Sequence, residues 1–352
     1  MDKKVCLVIG AGATRSDAQN VSPVEMQPPL DKHFFKYSQK TDPGSLQPIS
    51  QYFSRNYQWN ILDEAYDSLE LIMVGLYIDS FNPAHGSAQT HFRNLVRLYF
   101  KRLVETTNNL VAHKRRNVYR LLYHYLYKEC LPAEQLTLIT FNHDLQVEKM
   151  LELFCSFHDD HSESFCFPSC YSLTPLTVSR PPAGADVFER SDLDSGIRIL
   201  KLHGSFNWFS PYEKEEFSTS KMFAKSRELH VTPRKELDVE MRFKKDGVSK
   251  YTFPVIIPPI INKAAIIPPS LHKLWNLAED TISSCNELVI FGYSFPPADI
   301  ESGRLFERGL NRNQNNPKLI IIDPKNDVVA RALTSLKPRR LSYYQSVTEM
   351  LS

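Results

Sequence analysis

Five stretches of this chain place reactive or ligand-holding residues directly after apolar runs. In "KLHGS", His203 carries an imidazole able to act as a general base near neutral pH, and Gly204 beside it would let a ligand approach the backbone. In "TFNHD", Asn142 and Asp144 offer a carboxamide and a carboxylate, with His143 between them as a packing or rim residue. "GAGAT" (Gly10, Ala11, Gly12, Ala13, Thr14) suits a tight turn that meets a phosphate at a helix start. "FGYSFPPAD" offers Gly292 and Ser294 for phosphate or ribose contacts, and "IIIDPKN" offers Asp323, whose carboxylate could accept from ribose hydroxyls. Taken singly, each stretch also fits a structural reading: a glycine turn, an Asx turn at a strand end, a hydrogen-bonded histidine. The glycine motif lacks the third glycine of GxGxxG, Arg15 standing in its place, and no ribose-binding acid follows on a nearby second strand.

The elements that must position these residues are legible as buried strands. Val5–Ile9, Leu136–Asp144, Ile197–Leu202, Glu287–Phe291 and Lys318–Asp323 are short, continuous and rich in β-branched residues, as strands covered on both faces require. Helix-period segments lie between them, most clearly "ILDEAYDSLELIMVGLYI" and "VYRLLYHYLYKECL". Alternating strand and helix predicts an α/β, Rossmann-like, mostly parallel sheet with helices on both faces, plus a helical insertion. In such sheets ligands sit outside the carboxyl ends of the strands, where all five motifs fall. The expected organisation is a single domain over 1–352, with the helical insertion at about 51–131 and irregular surface insertions at about 155–195 and 210–252.

Bulk properties narrow the function classes. The chain has 352 residues and a formal net charge of +2, a balance that gives no indication of direct nucleic-acid binding. The basic runs "HKRRNVYR" and "RFKKDGVSK" read as solvated faces. No apolar stretch approaches the ~20 residues a membrane span needs, and the start has no signal-peptide core, so the expectation is a cytoplasmic protein without membrane contact. Six cysteines show no paired CxxC spacing. Cys155, His158, His161, Cys166 and Cys170 cluster in one stretch, but their spacing matches no zinc signature, and no metal is expected.

The ordered set GAGAT, TFNHD, KLHGS, FGYS and IIID resembles the motif series of the sirtuin-like fold over nearly the whole chain. "KLHGSFNW", "FNHD" and "GYS" resemble in particular the divergent bacterial sirtuin-like proteins of antiphage defence that hydrolyse NAD. "GAGATRSDAQ" followed by "PPLDKHFF" looks like the branch that pairs with a HerA-type ATPase. The resemblance implies an NAD hydrolase whose substrate is NAD, acting by NAD depletion, with a homo-oligomeric state and a HerA-type ATPase as expected partners. It implies roles as well. Asn142 would bind the nicotinamide ribose and position the attacking water, and His203 would act as base. Asp144 would hold the nicotinamide side. Gly10, Ala11, Gly12, Ala13 and Thr14 would cradle the diphosphate. Gly292 and Ser294 would contact phosphate or ribose, and Ser294 and Asp323 would hold the adenosine half. The alternatives are a nucleotide-binding subunit of a defence complex with ATPase or nuclease activity, and a protein deacylase. The paired zinc cysteines and the "GIPDFR" segment of deacetylases are absent from the sequence.

Overall fold

The structure, a computed structural model, describes residues 3–28, 31–66, 68–108, 110–173, 176–179, 185–188, 196–212, 229–232, 242–245, 248–257, 267–296 and 299–352. Its strands are β1 (Val5–Ile9), β2 (Leu136–Thr140), β3 (Leu176–Ser179), β4 (Ala185–Phe188), β5 (Arg198–Lys201) and β6 (Gly204–Tyr212). They continue as β7 (His230–Val231), β8 (Arg242–Lys245), β9 (Val248–Ile256), β10 (Glu287–Phe291), β11 (Lys318–Ile322) and β12 (Leu341–Tyr344).

Six strands form one sheet in the order β12-β11-β10-β1-β2-β5, and every pairing in it is parallel. Val5 lies opposite both Leu136 and Glu287, so the three central strands end in step. All residues of β1, β2 and β10 are buried, which explains why their sequences run apolar without alternation. The chain moves from β1 to β2 to β5 in one direction, then returns to the far side of β1 and moves outward through β10, β11 and β12. Right-handed crossovers in opposite directions put their helices on opposite faces. The helices segregate accordingly: Pro269–Ser284, Ile300–Arg312 and Asn326–Leu336 pack together, as do Ala11–Asp17, Asn117–Leu122 and Gln146–Phe157. The α/β architecture expected from the sequence is therefore present.

The helical block begins earlier than residue 51. Phe34–Thr41 and Pro43–Tyr57 precede Leu69–Asp79 and Ala88–Asn108. Pro43 looks like a breaker, yet it stands in the first helical turn, where no backbone donor is needed, and the Asp42 carboxylate accepts from Ser45 N. The stretches expected to be irregular also differ from that reading. Their described residues carry β3, β4 and β7–β9, which join β6 in a second sheet of order β4-β3-β7-β6-β9-β8. Charged runs such as "RFKK" hide the strand signal, and their partners are distant in sequence. Among the described residues no helix is long and apolar enough to cross a membrane.

Candidate functional site

The order of the first sheet reverses between β1 and β10, and a crevice outside the carboxyl ends forms at such a reversal. The glycine motifs face each other there. Gly10 N donates to Phe291 O (2.9 Å), Gly12 N to Gly292 O (2.9 Å) and Ala13 N to Gly10 O (3.0 Å). A Cβ on Gly10 or Gly12 would lie 2.4 or 2.9 Å from Gly292 O, and one on Gly292 (φ +65°) would lie 2.1 Å from Ala13 N. These glycines thus allow two loops to touch. The Gly10 bond to Phe291 O continues the β1–β10 ladder, and the Gly10, Gly12 and Ala13 amides are all donated to main-chain carbonyls, so in this conformation they are not the groups that would hold a diphosphate at 10–14. The Ala11–Asp17 helix is pinned from behind, where Asn117 N donates to the Asp17 carboxylate (2.7 Å) and Asn117 Nδ2 to Ser16 Oγ (3.2 Å).

The end of β2 is tied to the same loop. Thr140 Oγ1 donates to Ile9 O (2.9 Å) and accepts from Asn142 N (3.0 Å). Asn142 Nδ2 donates to Gly10 O (2.9 Å) and Thr14 Oγ1 (3.1 Å). With both amide hydrogens engaged, the Oδ1 carbonyl is the group this side chain can offer to a water or a sugar hydroxyl. Thr14 Oγ1 donates in turn to Asp144 Oδ2 (2.9 Å). Asp144 Oδ1 accepts from Gln146 N (2.9 Å), the Asx turn that the sequence also allowed. Asn142, Asp144, Thr14 and Gly10 therefore form one buried network, in which Asp144 already serves the loop.

His203 occupies the two-residue joint between β5 of the first sheet and β6 of the second. Its ring centroid lies 5.1 Å from Phe141, 6.1 Å from Trp275 and 6.3 Å from His143. Phe141 and His143 flank Asn142, so the imidazole and carboxamide belong to adjoining loops, joined also by Phe206 N donating to His143 O (2.9 Å). The structure gives Gly204 a role different from ligand approach. At φ +82°, a Cβ there would lie 2.0 Å from Val255 O, so the glycine admits β9 against the start of β6.

The remaining candidates stand farther along the sheet. Ser294 is exposed, and its carbonyl accepts from Arg331 Nε (2.8 Å). Asp323 is buried; its Oδ1 accepts from Lys325 N (2.9 Å), and burial raises its carboxyl above the ordinary value. Arg15 donates to Pro28 O (3.0 Å). Of the cysteine–histidine stretch, Cys155 and Cys170 are buried, with the Cys155 thiol pushed up to about 11 by burial. Among the described residues no three His, Cys, Asp or Glu side chains are grouped to hold a metal ion.

Five side chains around the site were not singled out from the sequence. Asp299 Oδ1 lies 3.9 Å from His203 Nε2. Tyr99, from the helical insertion, places its hydroxyl 3.0 Å from His143 Nδ1. Lys201, fully buried, donates to Asp144 O and to Glu148 Oε1 (3.1 Å), and Tyr171 OH also donates to Glu148 Oε1 (2.8 Å). "FGYSFPPAD" contains Asp299, and a lysine inside the apolar "RILKL" was a visible anomaly; Tyr99 had no such signal.

No family model matches the chain, and no curated protein matches it. Among solved structures, one matching chain is described as "Structural Basis for the Mechanism and Regulation of Sir2 Enzymes". The similarity is 11% identity at a TM-score of 0.34, over 95% of this chain and 92% of that one.

Proposed function

We propose that this protein hydrolyses NAD to nicotinamide and ADP-ribose. One observation carries the reading: the order of the motifs across the sheet edge follows the order of groups along a dinucleotide. Asp323 follows β11, Gly292 and Ser294 follow β10, and Gly10–Thr14 follow β1. Asn142 and Asp144 follow β2, and His203 follows β5. Adenosine, diphosphate, ribose and nicotinamide would lie in that sequence. Four strand spacings cover about 19 Å, the scale of an extended dinucleotide.

The reaction breaks the bond between the ribose anomeric carbon and the pyridinium nitrogen. The bonding pair leaves with nicotinamide, which becomes neutral, and water oxygen bonds to the carbon. The positive charge that builds on the sugar favours a tight grip on the ribose and an oriented water. Asn142 Oδ1 orients the water or a ribose hydroxyl, and His203 takes the released proton. Thr14 and Asp144 keep the carboxamide aimed. An NAD hydrolase that was always active would exhaust the NAD of its own cell, so the activity is gated. A homo-oligomer or a HerA-type ATPase partner would supply that control, in keeping with a role in antiphage defence by NAD depletion.

The test is chromatographic detection of nicotinamide and ADP-ribose after incubation with NAD, alone and with a co-expressed HerA-type partner. Asn142→Ala and His203→Ala should each lower release about a hundredfold or more while circular dichroism stays unchanged. Full activity in both variants overturns the site. Release of acetate from an acetylated peptide favours the deacylase reading, and binding without turnover favours the nucleotide-binding subunit.

A further inference from the structure

We propose that Asp299 is the positioning residue for His203: its carboxylate, held by the Tyr293 hydroxyl, steers the imidazole and balances the charge the ring acquires. Asp299 precedes the Ile300–Arg312 helix as its N-cap, yet its side chain makes no capping hydrogen bond. An aspartate at that position ordinarily turns its carboxylate to the amides of the first helical turn. Here the side chain turns inward and is 5% exposed. Oδ2 accepts from Tyr293 OH (2.9 Å), and Oδ1 faces His203 Nε2 at 3.9 Å. That separation suits an ion pair and is too long for a hydrogen bond, so the interaction strengthens when the ring becomes an imidazolium.

The surroundings fix the geometry. Tyr293 stacks on Phe141 with ring centroids 4.6 Å apart, and Phe141 lies against His203. Burial and the charge of Asp299 both hold the Tyr293 phenol in its protonated, donating form. Among the described residues, His143, itself contacted by Tyr99, and the Trp275 indole from the Pro269–Ser284 helix also face His203, and the Glu70 charge acts on the adjoining Tyr293. Of the groups facing His203, Asp299 supplies the negative charge, and a protonated His143 would oppose it. A proton on Nε2 directed at Asp299 leaves Nδ1 to accept the proton released in the reaction. The ring ends as an imidazolium with a proton on each nitrogen, the proton coming from the water whose oxygen bonds to the sugar carbon as the bond to nicotinamide breaks.

This inference rests on the proposed hydrolysis for its catalytic meaning, and its test separates the two. His203 is titrated by ring NMR in the unliganded full-length protein, its signal assigned with His203→Gln. Asp299→Asn should lower the His203 pKa by about one unit or more, the effect of losing an opposite charge at this range. Tyr293→Phe, which removes a donor and leaves the carboxylate charge undiluted, should raise it. Nicotinamide release by Asp299→Asn should fall roughly ten- to a hundredfold, with the acidic limb of its pH profile moving down alongside the titration. A His203 titration unmoved in both variants overturns the pairing. Titrations that shift in a protein that cleaves no NAD uphold the pairing and count against the hydrolase reading instead.

Discussion

At the scale of single residues, the structure sorts the conspicuous side chains by what they touch. Asn142 and His203 stand at strand ends as the sequence suggested, because a polar residue closing a buried apolar run has few places to go. Gly204 was equally visible, but its reason was not: the neighbour that forbids a side chain is Val255, about fifty residues away in sequence. Asp17 gave no signal at all. Burial raises its carboxyl from 3.8 to about 6, against the lowering effects of the Asn117 amide and the Arg116 charge. A folded-state pKa above the unfolded one means that the native state binds the proton more tightly. Its stabilising share is complete below about 3.8 and is lost as pH rises through about 6. Asp17→Asn keeps the acceptor for Asn117 N and removes the titration. The thermal midpoint of the variant, measured against the native protein, should therefore improve between pH 4 and 6.5. A difference independent of pH would contradict this account.

At the scale of elements, the loop after β2 that carries Asn142 and Asp144 depends on β5 and on the Gln146–Phe157 helix. Lys201 is fully buried and bridges the Asp144 carbonyl to the Glu148 carboxylate, which Tyr171 also contacts. Removing one member of a buried pair strands the other charge, which costs about 3–5 kcal/mol. Lys201→Met should lower stability to denaturant by that amount, and Lys201→Met with Glu148→Leu should regain most of it. A single variant as stable as the native protein would show that the bridge does not hold the loop. Five strands of the parallel sheet were legible because burial on both faces leaves continuous apolar sequence, whereas the edge strand β12, a half-buried "LSYY", gave no such run. The second sheet was not legible. β8 reads "RFKK" and β7 has two residues, so composition masks strands whose partners are set by long-range pairing.

At the scale of the whole molecule, the two sheets meet at His203, and the first sheet lines up every candidate group along one edge. Sequence could supply the motifs and their order along the chain. It could not supply their order in space, because β10 and β11 return to the opposite side of β1. That spatial order carries the proposal of a dinucleotide along this edge. The most direct test is a crystal structure of His203→Ala soaked with NAD. The nicotinamide ribose should lie within about 3 Å of Asn142 Oδ1 and against the emptied position 203. The diphosphate should sit over 10–14, and the adenosine beside Asp323. A dinucleotide bound away from this edge, or lying along it with adenine at Asn142, would contradict the account.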